Sequence, residues 1–212
     1  MRADTKGRPR CTLAAIVCLA LSLSCGCAHL ARDEDPQQVV ERMARERQQR
    51  LEQAQAAYQA GAKALARNDL AGAADNLAEA VRLDPYHGAA RNDLGVVRYR
   101  EGDLYQAALD FDAASRIMLD AHEPFYNLGV VLEEAGRLEE AAEAYRAALR
   151  IAADAVDVKE ALARTYIRLD SHRQEAVVLL EAAAAKESRA EWQHWIRLQL
   201  LRLRAGGEPV GE

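Results

Sequence analysis

Beyond position 27 this 212-residue chain has no cysteine; all four, Cys11, Cys18, Cys25 and Cys27, lie in its first stretch. A fold stapled by disulfides scatters its cysteines through the body, so that class is excluded. Strand formers are scarce as well. Val, Ile and Thr together number 21 and aromatics make up 5%, against 44 alanines. Alanine is the strongest helix former, while β-branched and aromatic residues favour strands, so a sheet-rich fold is excluded. Glycine follows no three-residue period, which removes collagen. One uncharged apolar run exists near the start and no second one follows, which removes a polytopic membrane protein. Neither charge sign dominates: 28 Lys and Arg stand against 33 acids, for a net charge of −5. Half of the residues are apolar, enough to build a core. What remains is an all-α protein.

The first thirty residues read as an address. Arg2, Lys6, Arg8 and Arg10 precede an uncharged run from Cys11 to Ser24. That run is shorter than the ~20 residues that span a bilayer and has the length of a signal-peptide core. It ends in Leu21-Ser22-Leu23-Ser24-Cys25-Gly26-Cys27-Ala28. This segment resembles a bacterial lipobox, in which a cysteine after small residues is acylated and becomes the new N-terminus. Serine stands where that pattern prefers an aliphatic residue. Cys27 follows Gly26 and is the expected lipidation site; Cys25 is the runner-up, and ordinary cleavage near Ala28 without a lipid is the alternative. Two or more acyl chains give stable membrane attachment. Loss of residues 1–26 removes four basic residues and one acid, so the net charge falls by three from −5 to −8. Such a body is a poor partner for nucleic acid, whose binding depends on Lys and Arg. Ala28 rather than Asp after the cysteine implies, by the same resemblance, sorting to the outer membrane, facing the periplasm.

The body repeats itself. Gly61, Gly95, Gly129 and Ala163 are spaced by 34, as are Ala73, Ala107 and Ala141, and Ala80, Ala114 and Ala148. Ala176 and Ala183 continue the last two series at a step of 35. A larger residue stands three before each of the last set: Leu77, Phe111, Tyr145 and Leu180. The fourth copy therefore holds one extra residue, placed in its Leu169–Arg173 turn. A period of this length marks a stack of supersecondary units.

The pattern resembles the tetratricopeptide repeat, with small residues at repeat positions 8, 20 and 27, a large one at 24 and Pro85 at 32 of the first copy. The resemblance implies a right-handed α-solenoid of helix hairpins. Copies are expected at 54–87, 88–121, 122–155 and 156–189, after a leader at 1–26, a tether at 27–35 and an extended N-terminal helix from 36 to 53 leading into the first copy. Small residues permit helix axes to approach at the near end of about 8–10 Å. A single hairpin cannot bury both apolar faces, whereas three or more stacked ones can. Trp192, Trp195, Ile196, Gln199 and Leu203 lie at helical spacing in a capping helix at 190–204, and 205–212 is expected to be a disordered tail. The two tryptophans could instead mark a partner or membrane-surface site. Arg42, Arg45, Arg47 and Arg50 read as a solvated helix face, or as a contact for anionic headgroups.

Catalytic chemistry is missing. No two histidines sit three or four apart, so helical metal spacing is absent, and no glycine-rich loop follows a strand. No cofactor or metal and no enzymatic activity is expected. Glu133-Glu134 and Glu139-Glu140 read as solvated helix faces. The family resemblance implies that first helices line a concave groove. Mapped here, that groove holds Tyr58, Ala62 and Leu65 from the first copy. Asn92, Asp93, Val96, Tyr99 and Arg100 come from the second. The third gives Tyr126, Asn127, Val130, Glu133 and Glu134, and the fourth Glu160, Arg164 and Ile167. Some of the tyrosines could equally fill the core between copies. The expected function is a protein–protein scaffold or adaptor, lipid-anchored in the bacterial envelope, that holds a partner peptide or helix; a pilotin-like factor for type IV pilus secretin assembly shares the layout. The alternatives are a self-associating structural lipoprotein and a regulatory cofactor of a cell-wall or outer-membrane assembly enzyme. The sequence names neither the partner nor the oligomeric state.

Overall fold

The computed structural model describes residues 35–170 and 172–205. The lipobox cysteines Cys25 and Cys27, the leader, most of the tether and the tail from 206 lie outside them. The described residues form nine α-helices and no strand. They are α1 (Pro36–Ala66), α2 (Leu70–Leu83), α3 (Gly88–Arg100), α4 (Leu104–Ile117), α5 (Glu123–Glu134), α6 (Leu138–Ile151), α7 (Val156–Arg168), α8 (Arg173–Ala184) and α9 (Ala190–Ala205). The chain divides into two compact units, Met1–Arg47 and Gln48–Glu212.

In the first unit the described part is the start of α1. Pro36 opens the helix where a missing N–H costs nothing, and the Asp35 carboxylate accepts the Gln37 N–H at 3.1 Å. Val40 and Met43 are exposed, and Arg42 pairs with Glu46 at 3.8 Å in open solvent. None of the described helices is long and apolar enough to cross a membrane.

The second unit is a run of hairpins whose turns recur at 34-residue steps. Asn68, Gly102, Gly136 and Asp170 all have positive φ, at 59°, 84°, 76° and 48°. Each follows a helix C-terminus and folds the chain back. At the second turn the Gly102 N–H reaches the Tyr99 carbonyl at 3.0 Å and the Asp103 N–H reaches Arg98 at 2.9 Å, the paired bonds that close a helix through a left-handed residue. Asp103 then starts the next helix by accepting the Gln106 N–H at 3.0 Å. Asp69 does the same for Gly72 at 3.0 Å. The extra residue of the fourth turn leaves a second left-handed position, His172 at φ 53°. Gly102→Ala is expected to cost about 1–2 kcal/mol, because an L side chain strains there. Gly102→Asn should cost less, since the first turn already carries Asn68. Urea melts of the two variants check the order.

Inside each of the first three hairpins a glycine receives a large residue sixteen positions on. A Cβ added to Gly61 would lie 2.7 Å from Leu77, to Gly95 2.8 Å from Phe111, and to Gly129 2.5 Å from Tyr145. Cores then form across hairpins. Leu77 shares a cluster with Leu94 and Val97 of α3, Phe111 with Val131 of α5, and Tyr145 with Leu162, Leu180 and Ile196. Ile196, buried on α9, joins the core of the last hairpin, and Trp195, Leu200 and Leu203 pack against that same core.

Candidate functional site

First helices of successive hairpins touch one another: α3 meets α5, and α5 meets α7. Among the described residues no such contact joins α2 to α4, α4 to α6 or α6 to α8. The first-helix face is therefore the tighter one, and it is the concave side of this unit.

Polar and aromatic groups run along that face. Tyr58 of α1 lies against His87, with ring centroids 4.7 Å apart. Burial raises its pKa, with a further contribution from the Asp93 charge. The Asn92 amide donates to Asp93 Oδ1 at 3.3 Å and accepts the Asn127 amide at 3.0 Å, which ties α3 to α5. That bond uses one Asn127 donor and leaves its carbonyl oxygen open. Tyr99 has its pKa raised, first by a hydrogen bond to Glu134 and then by burial. Tyr126 is half-buried, 5.9 Å from Tyr145, and its pKa is raised by burial and by Asp157. It thus fills space between helices as well as lining the face. Val96 and Val130 are half-buried and join the flanking cores, while Arg100 is exposed.

Glu133 is different. It was expected on the ligand face and on a solvated stretch, yet it is only 7% exposed. Its carboxylate accepts the Tyr145 hydroxyl at 3.0 Å, two bonds from Arg164 at 2.9 Å each and one from Arg168 at 3.0 Å. Burial pushes its pKa up, but these donors outweigh it and hold the carboxyl below the ordinary glutamate value. The reason is helical phase: Glu133 lies three residues past Val130 and turns inward beneath α7. Glu160 is likewise buried, at 2% exposure, rather than open on the groove. Sequence reasoning missed a further buried acid, Asp110, which accepts Arg98 and lies 3.9 Å from Arg91. Its only signal was an acid on the apolar face of α4.

At the far end, Arg164, Glu191, Trp192 and Trp195 line a cavity of about 300 Å³. The tryptophan rings pack edge to face, 5.5 Å apart. Among the described residues no group of three or more His, Cys, Asp or Glu side chains is placed to hold a metal ion.

Residues 122–155 match the tetratricopeptide repeat family. They span α5 and α6, the hairpin that holds Gly129, Tyr145 and Glu133. This hairpin is thus similar to a tetratricopeptide repeat. Solved structures carry the likeness across the neighbouring hairpins. A tetratricopeptide repeat protein from Parabacteroides merdae superposes with a TM-score of 0.64 at 18% identity, covering 73% of this chain and 61% of that one. MamA gives 0.62 at 17% identity, over 69% of this chain and 83% of its own. YrrB, described as a TPR protein with an unusual peptide-binding site, gives 0.60 at 20% identity, over 68% and 74%. At such identities the likeness is one of fold, that of a tetratricopeptide-repeat solenoid. No curated protein matches the chain.

Proposed function

We propose that this tetratricopeptide-repeat chain is a non-enzymatic adaptor that holds an extended peptide or a helix from a partner protein on its concave face. The observation that carries the reading is the Asn92–Asn127 pair, bonded across adjacent first helices. Its amides keep open donor and acceptor positions and are flanked by Tyr99 and Tyr126. Amides in this arrangement can pair with both groups of a passing peptide unit, and tyrosines add apolar area with a polar tip. A similar solved domain, the first TPR of Spaghetti, is bound to an HSP90 peptide; it covers 57% of this chain at 18% identity with a TM-score of 0.55. That supports peptide capture as a use of the fold, not the identity of this chain's partner.

The leader supports a second half to the proposal: the adaptor is held on the bacterial outer membrane, facing the periplasm, by acyl chains on Cys27, or on Cys25 if cleavage falls two residues earlier. A pilotin-like role in secretin assembly fits an anchor followed by a short stack, by analogy of layout alone. A pull-down from detergent-solubilised envelopes tests both halves. Asn92→Ala/Asn127→Ala, which leaves Tyr126 against Tyr145, should lose the partner band that the unaltered chain recovers. Cys27→Ser should leave the membrane fraction yet keep that band. Recovery of the same proteins by the double variant would sink the groove assignment, and a membrane-bound Cys27→Ser/Cys25→Ser chain would sink the anchor.

A further inference from the structure

The joint between α9 and the last hairpin holds a charge cluster that the groove does not use. Glu160 of α7 is 2% exposed and Glu187, in the turn before α9, is buried. One arginine serves both. Arg189 Nη2 lies 3.2 Å from Glu160 Oε2 and 2.5 Å from Glu187 Oε2. The Arg189 backbone N–H and Nε donate to Glu187 Oε1 at 2.6 and 2.9 Å, and the guanidinium sits 5.1 Å from the Trp192 ring centroid. Gln193 adds a bond to the Glu187 carbonyl at 2.7 Å. Glu160 Oε1 is buried and has no hydrogen-bond partner as an acceptor.

Two carboxylates against one guanidinium leave an excess negative charge, and nothing nearby removes it. Arg164, one turn along α7, is engaged by Glu133. Lys186 and Lys159 lie on Asp154, at 2.7 and 3.8 Å. Asp157, on the same helix, adds repulsion. From α5, Tyr126 feels the Glu160 charge; its pKa is raised, so it is neutral. A proton resolves the imbalance: a protonated Glu160 donates to the Glu187 carboxylate, and the stranded oxygen gains a partner. We propose that one proton shared between Glu160 and Glu187 latches α9, and with it the Trp192–Trp195 cavity, onto the last hairpin, and that losing this proton loosens that end of the concave face.

The titration behaviour agrees. Burial, the hydrogen bond to Glu187 and its charge lift Glu160 to about 7, while the Arg189 donors hold Glu187 down at about 2. Because Glu160 is raised above its ordinary 4.5, the latch is complete below that pH and is lost as pH rises through about 7. Above it Arg189 stays with Glu187, and the Glu160 anion, buried without a partner of its own, must draw in water.

Trp192 and Trp195 are the chain's two tryptophans, so tryptophan emission, excited selectively over tyrosine, reports α9 alone. The full chain is titrated from about pH 5 to about pH 9, following emission together with amide exchange in 190–205 corrected for intrinsic rates. The expected result is one emission transition with a midpoint near 7 and about tenfold faster exchange in α9 above it. Glu160→Gln, neutral and isosteric, should abolish the transition with helicity unchanged. Glu187→Gln should move its midpoint to lower pH. His194→Asn should leave it in place, since none of the bonds of the Glu160–Glu187–Arg189 cluster involves His194. The proposal is overturned by a flat wild-type titration, by a transition that survives Glu160→Gln, or by one that His194→Asn removes. If Glu160→Gln fails to fold, an unmoved midpoint in Glu187→Gln overturns it. No partner enters the experiment, so its outcome is independent of the groove reading.

Discussion

Glu133→Ala should lower the unfolding free energy by about 2–4 kcal/mol. The carboxylate is the common acceptor for Tyr145, Arg164 and Arg168, so its removal strands three donors at once. Their fates differ. The arginine side chains are roughly a third to a half exposed and can turn to water, which is why the cost falls short of a fully buried pair. The Tyr145 hydroxyl belongs to a side chain with no exposure at all and cannot. Glu133→Gln keeps an acceptor oxygen for that hydroxyl and should lose only about 1–2 kcal/mol. Glu133→Ala/Tyr145→Phe should recover part of the loss, since the stranded O–H is gone. Because the Glu133 pKa is held below the ordinary 4.5, this contribution is present above that pH and fades as acid titrates the carboxyl through its lowered value. Urea melts at neutral pH check the series. A Glu133→Ala chain within about 0.5 kcal/mol of wild type would mean that the carboxylate faces water after all.

Phe111→Ala is expected to cost about 3–5 kcal/mol, the usual range for emptying a buried ring. Phe111 is 2% exposed, sits against Gly95 and joins α4 to Val131 of α5. The cavity therefore opens inside one hairpin and at its junction with the next. In a stack held by nearest-neighbour interfaces this weakens coupling between the two ends, so the urea transition should broaden as well as shift. The converse change, Gly95→Ala, drives a Cβ to within 2.8 Å of the ring and should cost about 1–3 kcal/mol by overpacking. Combined, the two substitutions should cost less than their sum, because the emptied ring space admits the new methyl. Strict additivity would show that the two residues are not wedged together.

The wedges explain why the fold was legible in the sequence. Gly61, Gly95 and Gly129 stand where a Cβ has no room, so the constraint acts on residue type and leaves a visible period. Asn68, Gly102 and Gly136 mark the turns for the same kind of reason, a backbone shape few residues tolerate. The concave face was legible as a helix face and not as a set of free side chains. An aspartate or glutamate carries no mark of whether an arginine reaches it from the next hairpin. Glu133 meets Arg164 and Arg168, 31 and 35 residues on, and Glu160 meets Arg189, 29 residues on. Those distances follow from how adjacent hairpins dock, which no local pattern records. Trp195 packs against the core of the last hairpin, on the apolar helical spacing visible in the sequence.

Every interface in the stack joins segments close together along the chain: α3 to α4, α4 to α5, α5 to α6 and so on to α9. Acquiring structure therefore closes only short loops, and the entropy lost at each step is small. The polypeptide can zip outward from whichever hairpin forms first, without waiting for its far end to arrive. A body built this way can begin to fold while it is still being threaded through a narrow conduit, one hairpin at a time.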